Sequence, residues 1–487
     1  MRDHGLGAWP VRRARMSPGR TAFVHDGQSI SYAEFADGVA SAAAYLAGRG
    51  VSAGDRVAYL GPNHPSFAEA MFATHALGAI FVPLNFRLTA PELAYVLADS
   101  GAKLLLHTPE YAEVADGLGI DAVPAGEAHA PPVPLDTEVR PDDIALILYT
   151  SGTTGRPKGA MLSHANLVWN TYNLLVGVDV TADEVALVSA PLFHVAALGQ
   201  TLLPTFIKGG CSVLTGSWDV DGCYDLIERY RVTLMFGVPT MFASLAASPR
   251  WATADLSSLR TLMCGGAAVP LALVRTYQDR GLVFCQGYGL TETAPGATFL
   301  EAGESLRKAG SAGVPVFFGD AKVDAPPGEP GEVLIKGPNV SPGYWNNPAA
   351  TAAAWTEDGW FRSGDLATVD ADGHFHLVDR LKDMFVSGGE NVYPAEVEAA
   401  VFEHPAVAEV AVIGVPDPKW GEVGKAFVVC HAGHELTERE LREFLLGRLA
   451  KYKIPVSVET VEALPRTGSG KIRKAELRRS AQGTQEQ

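Results

Sequence analysis

The sequence is poor in cysteine and in charge. Its 487 residues hold five cysteines, Cys211, Cys223, Cys264, Cys285 and Cys430, an odd and scattered set without a C-x-x-C pair. That pattern excludes a disulfide framework or a cysteine zinc site and suits a reduced, cytoplasmic protein whose thiols pack in the core. Only 19% of the residues are charged, and 39 Lys and Arg face 55 Asp and Glu, a formal net charge of −16. The deficit of basic groups argues against nucleic acid or an anionic membrane surface as partner. Any anionic ligand must therefore be held by local groups. The uncharged stretch 70–84 contains His75 and a proline and falls short of the ~20 residues needed to span a bilayer. Arg2, Arg12, Arg13 and Arg15 have no apolar stretch behind them, so neither a signal peptide nor membrane insertion is expected. There is no internal repeat, and 122–134, rich in Ala and Pro, is expected to be a loop.

With 47% hydrophobic residues, the chain is globular and long enough for about three domain-sized units. Short apolar runs at 186–190, 211–215, 232–236, 260–264 and 282–285 read as strands, and 219–230 and 270–280 as the helices between them. That alternation implies a mostly parallel, buried α/β sheet, and 32–84 shows a similar rhythm. Beyond residue 309 the texture changes to short segments such as 332–336 and 374–378, punctuated by Gly and Pro, as in a small β-rich unit. A last unit begins near residue 379, with helices expected at 394–402 and 438–450 and strands at 407–415 and 426–430. Thr437 and Glu440 form a capping-box signature for the second helix.

The densest chemical signal is YTSGTTGRPKGA at 149–160, which follows the strand-like run 144–148. Thr150, Ser151, Thr153 and Thr154 supply hydroxyls, Gly152 and Gly155 let backbone N–H groups converge, and Lys158 adds a cation. Such a loop suits phosphate oxygens. A Walker A loop needs G-x-x-x-x-G-K followed by Ser or Thr, whereas here the glycines are closer and Gly159 follows the lysine. This is a phosphate loop of another kind.

Together with QGYGLTET (286–293), RSGDL (362–366), DRLKDM (379–384) and PRTGSGK (465–471), this loop resembles the adenylate-forming superfamily over nearly the whole chain. That family includes acyl- and aryl-CoA synthetases, firefly-type luciferases and the adenylation domains of peptide synthetases. The resemblance implies an α/β fold with two α/β subdomains and a β-barrel in a large N-terminal AMP-binding domain (1–378). A hinge (379–384, pivoting at Lys382) and a small mobile α+β C-terminal domain (385–487) complete it.

The resemblance also implies an ATP- and Mg²⁺-dependent reaction with coenzyme A. Glu292 and Thr150 would hold the metal, Thr291 would donate to the α-phosphate, and Lys471 would be the catalytic lysine of the first half-reaction. Gly265, Gly266, Ala267, Gln286, Gly287 and Tyr288 would surround adenine, with Asp365 and Arg380 on the ribose. His194, in PLFHVAAL (191–198), resembles the CoA-ligase version of a site that carries Asp in amino-acid-activating relatives. It would line the carboxylate site. Val195, Ala196, Val238, Pro239, Gly289 and Pro295 are the expected acyl pocket, small or apolar, which suits an acid with an apolar body. Gly388 and Gly389 of VSGGEN (386–391), Trp420 and Arg87 are the expected CoA contacts. The chain departs from the aryl-ligase pattern at Ile454, which leaves Lys451 or Lys453 for the CoA phosphates.

The stretches GLGAWPVRRARMSP, PNHP and PLNFRL resemble bacterial feruloyl-CoA synthetases, so the expected substrate is a hydroxycinnamate such as ferulate, 4-coumarate or caffeate. Medium- or long-chain fatty acids are the alternative. An adenylation enzyme loading a carrier protein in trans, a luciferase-like oxygenase and a non-enzymatic binding paralogue are the rival readings. The last is opposed by the presence together of Lys158, Glu292, Asp365, Arg380 and Lys471. A homodimer is compatible with this reading.

Overall fold

The computed structural model describes residues 3–150, 157–266, 269–282, 284–387, 390–446, 448–466 and 470–483. Two units partition the chain: 1–322, 334–362 and 373–375 form the larger, and 323–333, 363–372 and 376–487 the smaller.

The larger unit contains two sheets. In one, strands run in the order Gly343–Tyr344, Lys158–Ser163, Ile144–Thr150, Ile80–Leu84, Arg56–Leu60, Leu104–His107, Ala122–Pro124. The other runs Val314–Pro315, Gly296–Leu300, Phe284–Gly289, Thr261–Gly265, Leu234–Gly237, Val185–Val188, Cys211–Leu214, Thr21–His25, Gln28–Ser31. Its centre, from Cys211–Leu214 to Phe284–Gly289, is parallel, as the alternation of strand and helix patterns requires. The antiparallel neighbours Lys158–Ser163 and Gly296–Leu300 have no such pattern, being tight returns from the preceding strands. The expected loop at 122–134 begins instead with a strand, Ala122–Pro124, paired in parallel with Leu104–His107, and a 3₁₀ turn, Ala125–Glu127. Its Ala/Pro composition hid a three-residue edge strand, which Pro124 ends.

Local chemistry sets the helix starts. Ser31 and Glu34 form a capping box for Tyr32–Gly48, and Ser163 with Asn166 does the same for His164–Gly177, directly after the strand carrying Lys158. One core links the sheets, with Phe23, Phe35, Phe72 and Phe206 packed ring on ring at 4.7 Å between Phe23 and Phe35 and 4.9 Å between Phe72 and Phe206.

The smaller unit contains a sheet of Glu390–Val392, Phe385–Ser387, Gly421–Cys430 and Val407–Asp417, with Ser457–Thr460 parallel to Gly421–Cys430. Pro394–Phe402 is a helix as expected. The helix expected over 438–450 stops at Leu445, although the Thr437–Glu440 capping box forms; Leu446 turns extended, just before Gly447 in the sequence, a poor helix residue. Among the described residues no helix is long and apolar enough to cross a membrane.

Phe206 is 2% exposed. Phe206→Ala is expected to cost about 3–5 kcal/mol, read as a lower midpoint of guanidinium unfolding followed by near-ultraviolet circular dichroism.

Candidate active site

In the larger unit, a segment at 338–345 ties together the elements that carry the charged candidates. Asn166, at the start of its helix, donates to the carbonyls of Pro338 (2.8 Å) and Val340 (2.9 Å). Asn339 donates to Thr293 O and Gly296 O, both at 2.7 Å. Ser341 N donates to Glu292 O at 2.7 Å, and Trp345 N to Gly159 O at 2.7 Å. Tyr344 pairs with Ala160 across the two strands. Its hydroxyl donates to Glu292 Oε1 at 2.7 Å, and Lys158 Nζ lies over its ring, 5.4 Å from the centroid. Burial, with the Glu292 charge beside it, drives the Tyr344 phenol well above its usual pKa, so it remains a donor.

Thr150 ends the strand Ile144–Thr150 opposite Lys158. Ser151, Gly152, Thr153, Thr154, Gly155, Ala267, Gly388 and Gly389 lie outside the described residues. Thr291 and Glu292 share the turn Thr291–Thr293. Glu292 is buried, and among the described residues neither a cation nor a donor reaches its second oxygen. A buried carboxylate without a cation is costly, and an unshared hard oxygen suits a divalent metal ion. The second oxygen of Glu292 therefore fits a divalent cation such as Mg²⁺.

A cavity of about 460 Å³ adjoins these elements. Gly265, Gly266, Gln286, Gly287, Tyr288 and Gly289 line it, with Ala196 and Pro295, so the adenine and acyl candidates share one wall. Phe236, Met263, Cys264 and Phe299 make it apolar. The Cys264 and Cys285 thiols, at the same wall, are pushed up to about 12 and about 11 by burial and stay protonated. Two amides interrupt the apolar lining. Asn173 accepts from Phe318 N at 2.8 Å, while its Nδ2, like Gln286 Nε2, is buried with no partner among the described residues. Asn173 was not among the sequence candidates, because an Asn within a helix pattern carries no sign of facing a cavity.

Val195 is buried in the core, Pro239 begins the helix Pro239–Ala247, and Val238 precedes it. None of the three, nor His194, lines this cavity. His194 instead immediately precedes the turn Val195–Ala197, its ring 4.4 Å from that of Phe193. Arg87 lies over Phe86 and Phe193, 5.5 and 6.0 Å from their centroids.

In the smaller unit, Arg380 Nε meets Asp365 Oδ1 at 2.7 Å, the carboxylate 8% and the guanidinium group's side chain 43% exposed. Gly364 N donates to Glu332 (3.1 Å), and Asp365 N to Ser363 Oγ (3.0 Å). Lys382 occupies the turn after Arg380, with Asp383 anchored by Arg478 at 2.9 Å. Trp420 is half-exposed beneath Lys419, and Lys471 is exposed. Lys453 pairs with Glu396 at 2.7 Å, while Ile454 is a core residue.

A family model described as AMP-binding enzyme matches residues 11–345, and one described as AMP-binding enzyme C-terminal domain matches residues 396–471. A feruloyl-CoA synthase of an Amycolatopsis species is 57% identical over 98% of this chain and 99% of its own. The o-succinylbenzoate-CoA synthetase of Bacillus subtilis, solved with its acyl-adenylate intermediate, superposes with a TM-score of 0.89 at 34% identity, covering 96% of this chain and 97% of that one. The same enzyme solved with ATP and magnesium gives a TM-score of 0.90 at 33% identity over 97% of this chain and 99% of that one.

Gly289 sits where its strand meets the Pro295 turn: a Cβ there would fall 1.7 Å from Pro295 O, whereas one at Gly126 would meet nothing within 4 Å. Gly289→Ala is expected to lower the melting temperature by several degrees, at a cost of about 1–3 kcal/mol or more. Gly126→Ala should stay within about 0.5 kcal/mol of the parent by the same calorimetry.

Proposed function

The chain belongs to the AMP-binding enzyme family, and from that membership we propose that it is an ATP-dependent CoA ligase that activates a hydroxycinnamate such as ferulate. The observation that carries the substrate is the 57% identity, along nearly both full lengths, to feruloyl-CoA synthase. The cavity supports it: an apolar wall accepts the propenyl arm and ring, and the Asn173 amide donor, which has no partner among the described residues, suits an acid with ring oxygens better than an alkyl chain.

The reaction has two halves. The carboxylate oxygen attacks the α-phosphorus of ATP, the bond to the β-phosphate oxygen breaks, and pyrophosphate leaves. The thiol of CoA then loses its proton and attacks the acyl carbonyl, expelling AMP. In the first half two anions must meet, so fixed positive charge at the phosphates is the main requirement. Lys158, beside the phosphate loop, faces the polyphosphate, and Lys471 neutralises charge developing between carboxylate and α-phosphate. Thr291 donates to the α-phosphate, and His194 lines the carboxylate site. Glu292, with Thr150, would hold Mg²⁺, which would supply further charge neutralisation at the triphosphate.

Tyr288 offers its face to adenine. Asp365 accepts from the ribose hydroxyls, its carboxylate oriented by Arg380. In the second half Lys471 gives way to the segment with Gly388 and Gly389, by rotation of the smaller unit about Lys382. Arg87 and Trp420 then take the CoA nucleotide, with Lys451 or Lys453 on its phosphates. The protein works in the cytoplasm.

AMP release coupled to a reporter, compared for ferulate, benzoate and octanoate, is expected to be fastest with ferulate by about tenfold or more in kcat/KM, the scale set by one read hydrogen bond or a misfitted pocket. Preference for octanoate would transfer the enzyme to the fatty-acid branch. Lys471→Ala is expected to slow pyrophosphate release by ~10²-fold or more while feruloyl-adenylate supplied from outside still reacts with CoA. Equal loss of both halves in a folded variant would remove Lys471 from the role given to it.

A further inference from the structure

Lys158 and Glu292 carry opposite charges and approach the same tyrosine, yet no ion pair joins them among the described residues. The lysine meets the face of the Tyr344 ring, where the π cloud attracts a cation within ~6 Å of the centroid. The carboxylate meets the hydroxyl at the ring's edge. A charge-assisted O–H to carboxylate bond of this kind is among the stronger hydrogen bonds. One aromatic side chain therefore engages the cation at its face and the anion at its hydroxyl.

Tyr344 is itself held from several directions. Its strand pairs with Lys158–Ser163, its own N–H donates to Thr351 Oγ1 at 3.0 Å, and the next residue is bonded to Gly159 O. Glu292, by contrast, projects from a three-residue 3₁₀ turn, and its side-chain torsions are set by whatever the carboxylate touches. The Tyr344 bond commits Oε1 and leaves Oε2 without a protein partner among the described residues.

We propose that Tyr344 is a positioning residue for the nucleotide step: a spacer that keeps Lys158 and Glu292 from neutralising each other and orients the second oxygen of Glu292 toward a divalent cation. This inference rests on the functional reading above and adds a residue to it. The lysine is thereby kept for the triphosphate and the carboxylate for the metal ion, so the site binds the charged pair MgATP rather than closing on itself.

The test is Tyr344→Phe, which keeps the ring and the strand and removes the hydroxyl. Binding of ATP to the full-length protein is measured by calorimetry at graded Mg²⁺ without any acid, and again in EDTA. The half-saturating Mg²⁺ concentration is expected to rise ~10-fold or more, the usual effect of losing a group that orients a metal ligand. Affinity for ATP in EDTA should be unchanged, saturating Mg²⁺ should restore pyrophosphate release to within about twofold, and thiolation from supplied feruloyl-adenylate should run at the parent rate. That last readout also reports a folded variant. A Mg²⁺ requirement within about twofold of the parent, or an equal loss of ATP binding with and without metal, overturns the inference alone. A parent protein whose ATP binding ignores Mg²⁺ overturns the inference and the functional reading together.

Discussion

The active site depends on a short strap of chain, 338–345, that no hydrophobic pattern announces. It is interrupted by Pro338, Pro342 and Gly343, and it is held by backbone and amide hydrogen bonds to three separate places: the helix at Asn166, the turn at Glu292–Gly296 and the strand at Gly159–Met161. Because Asn166, Asn339 and Ser341 are buried, leaving any of these groups unpaired would be expensive. The strap therefore fixes the distance between the strand with Lys158 and the turn with Glu292. Everything assigned to the triphosphate follows from that spacing.

The cavity is a second consequence of backbone geometry. Small residues at the ends of parallel strands, Gly265 and Gly266 on one and Gly287 and Gly289 on the next, leave space where side chains would stand. Close approach of Pro295 to Gly289 then closes one side. The resulting volume lies at the C-terminal ends of parallel strands, the usual place for a ligand in an α/β sheet. Its thiols are protonated by burial, so they act as apolar wall and not as nucleophiles.

Much of the fold was legible because its elements are periodic or capped. The parallel strands at Val185–Val188, Cys211–Leu214 and Thr261–Gly265 are β-branched or apolar except at Ser212, as strands covered on both faces tend to be. Thr437 and Glu440 marked a helix start that formed as written. Its end was misjudged by five residues, since amphipathic periodicity runs on past the point where the backbone turns extended. Ala122–Pro124 was missed because three residues are too few for a period to register.

What the sequence offered alone was the chemistry: a loop of hydroxyls, glycines and a lysine that suits phosphate, and the distant acid, arginine and lysine motifs whose resemblance points to one family. The loop is local, so its residue types carry it, while the distant motifs are read through the family resemblance. Tertiary structure alone decided which groups meet. The bond from Tyr344 to Glu292 spans 52 residues, and the amide of Asn173 reaches Phe318 across 145. Contacts at that separation are set by strand pairing and by the requirement that buried polar groups find partners, which a linear reading cannot place.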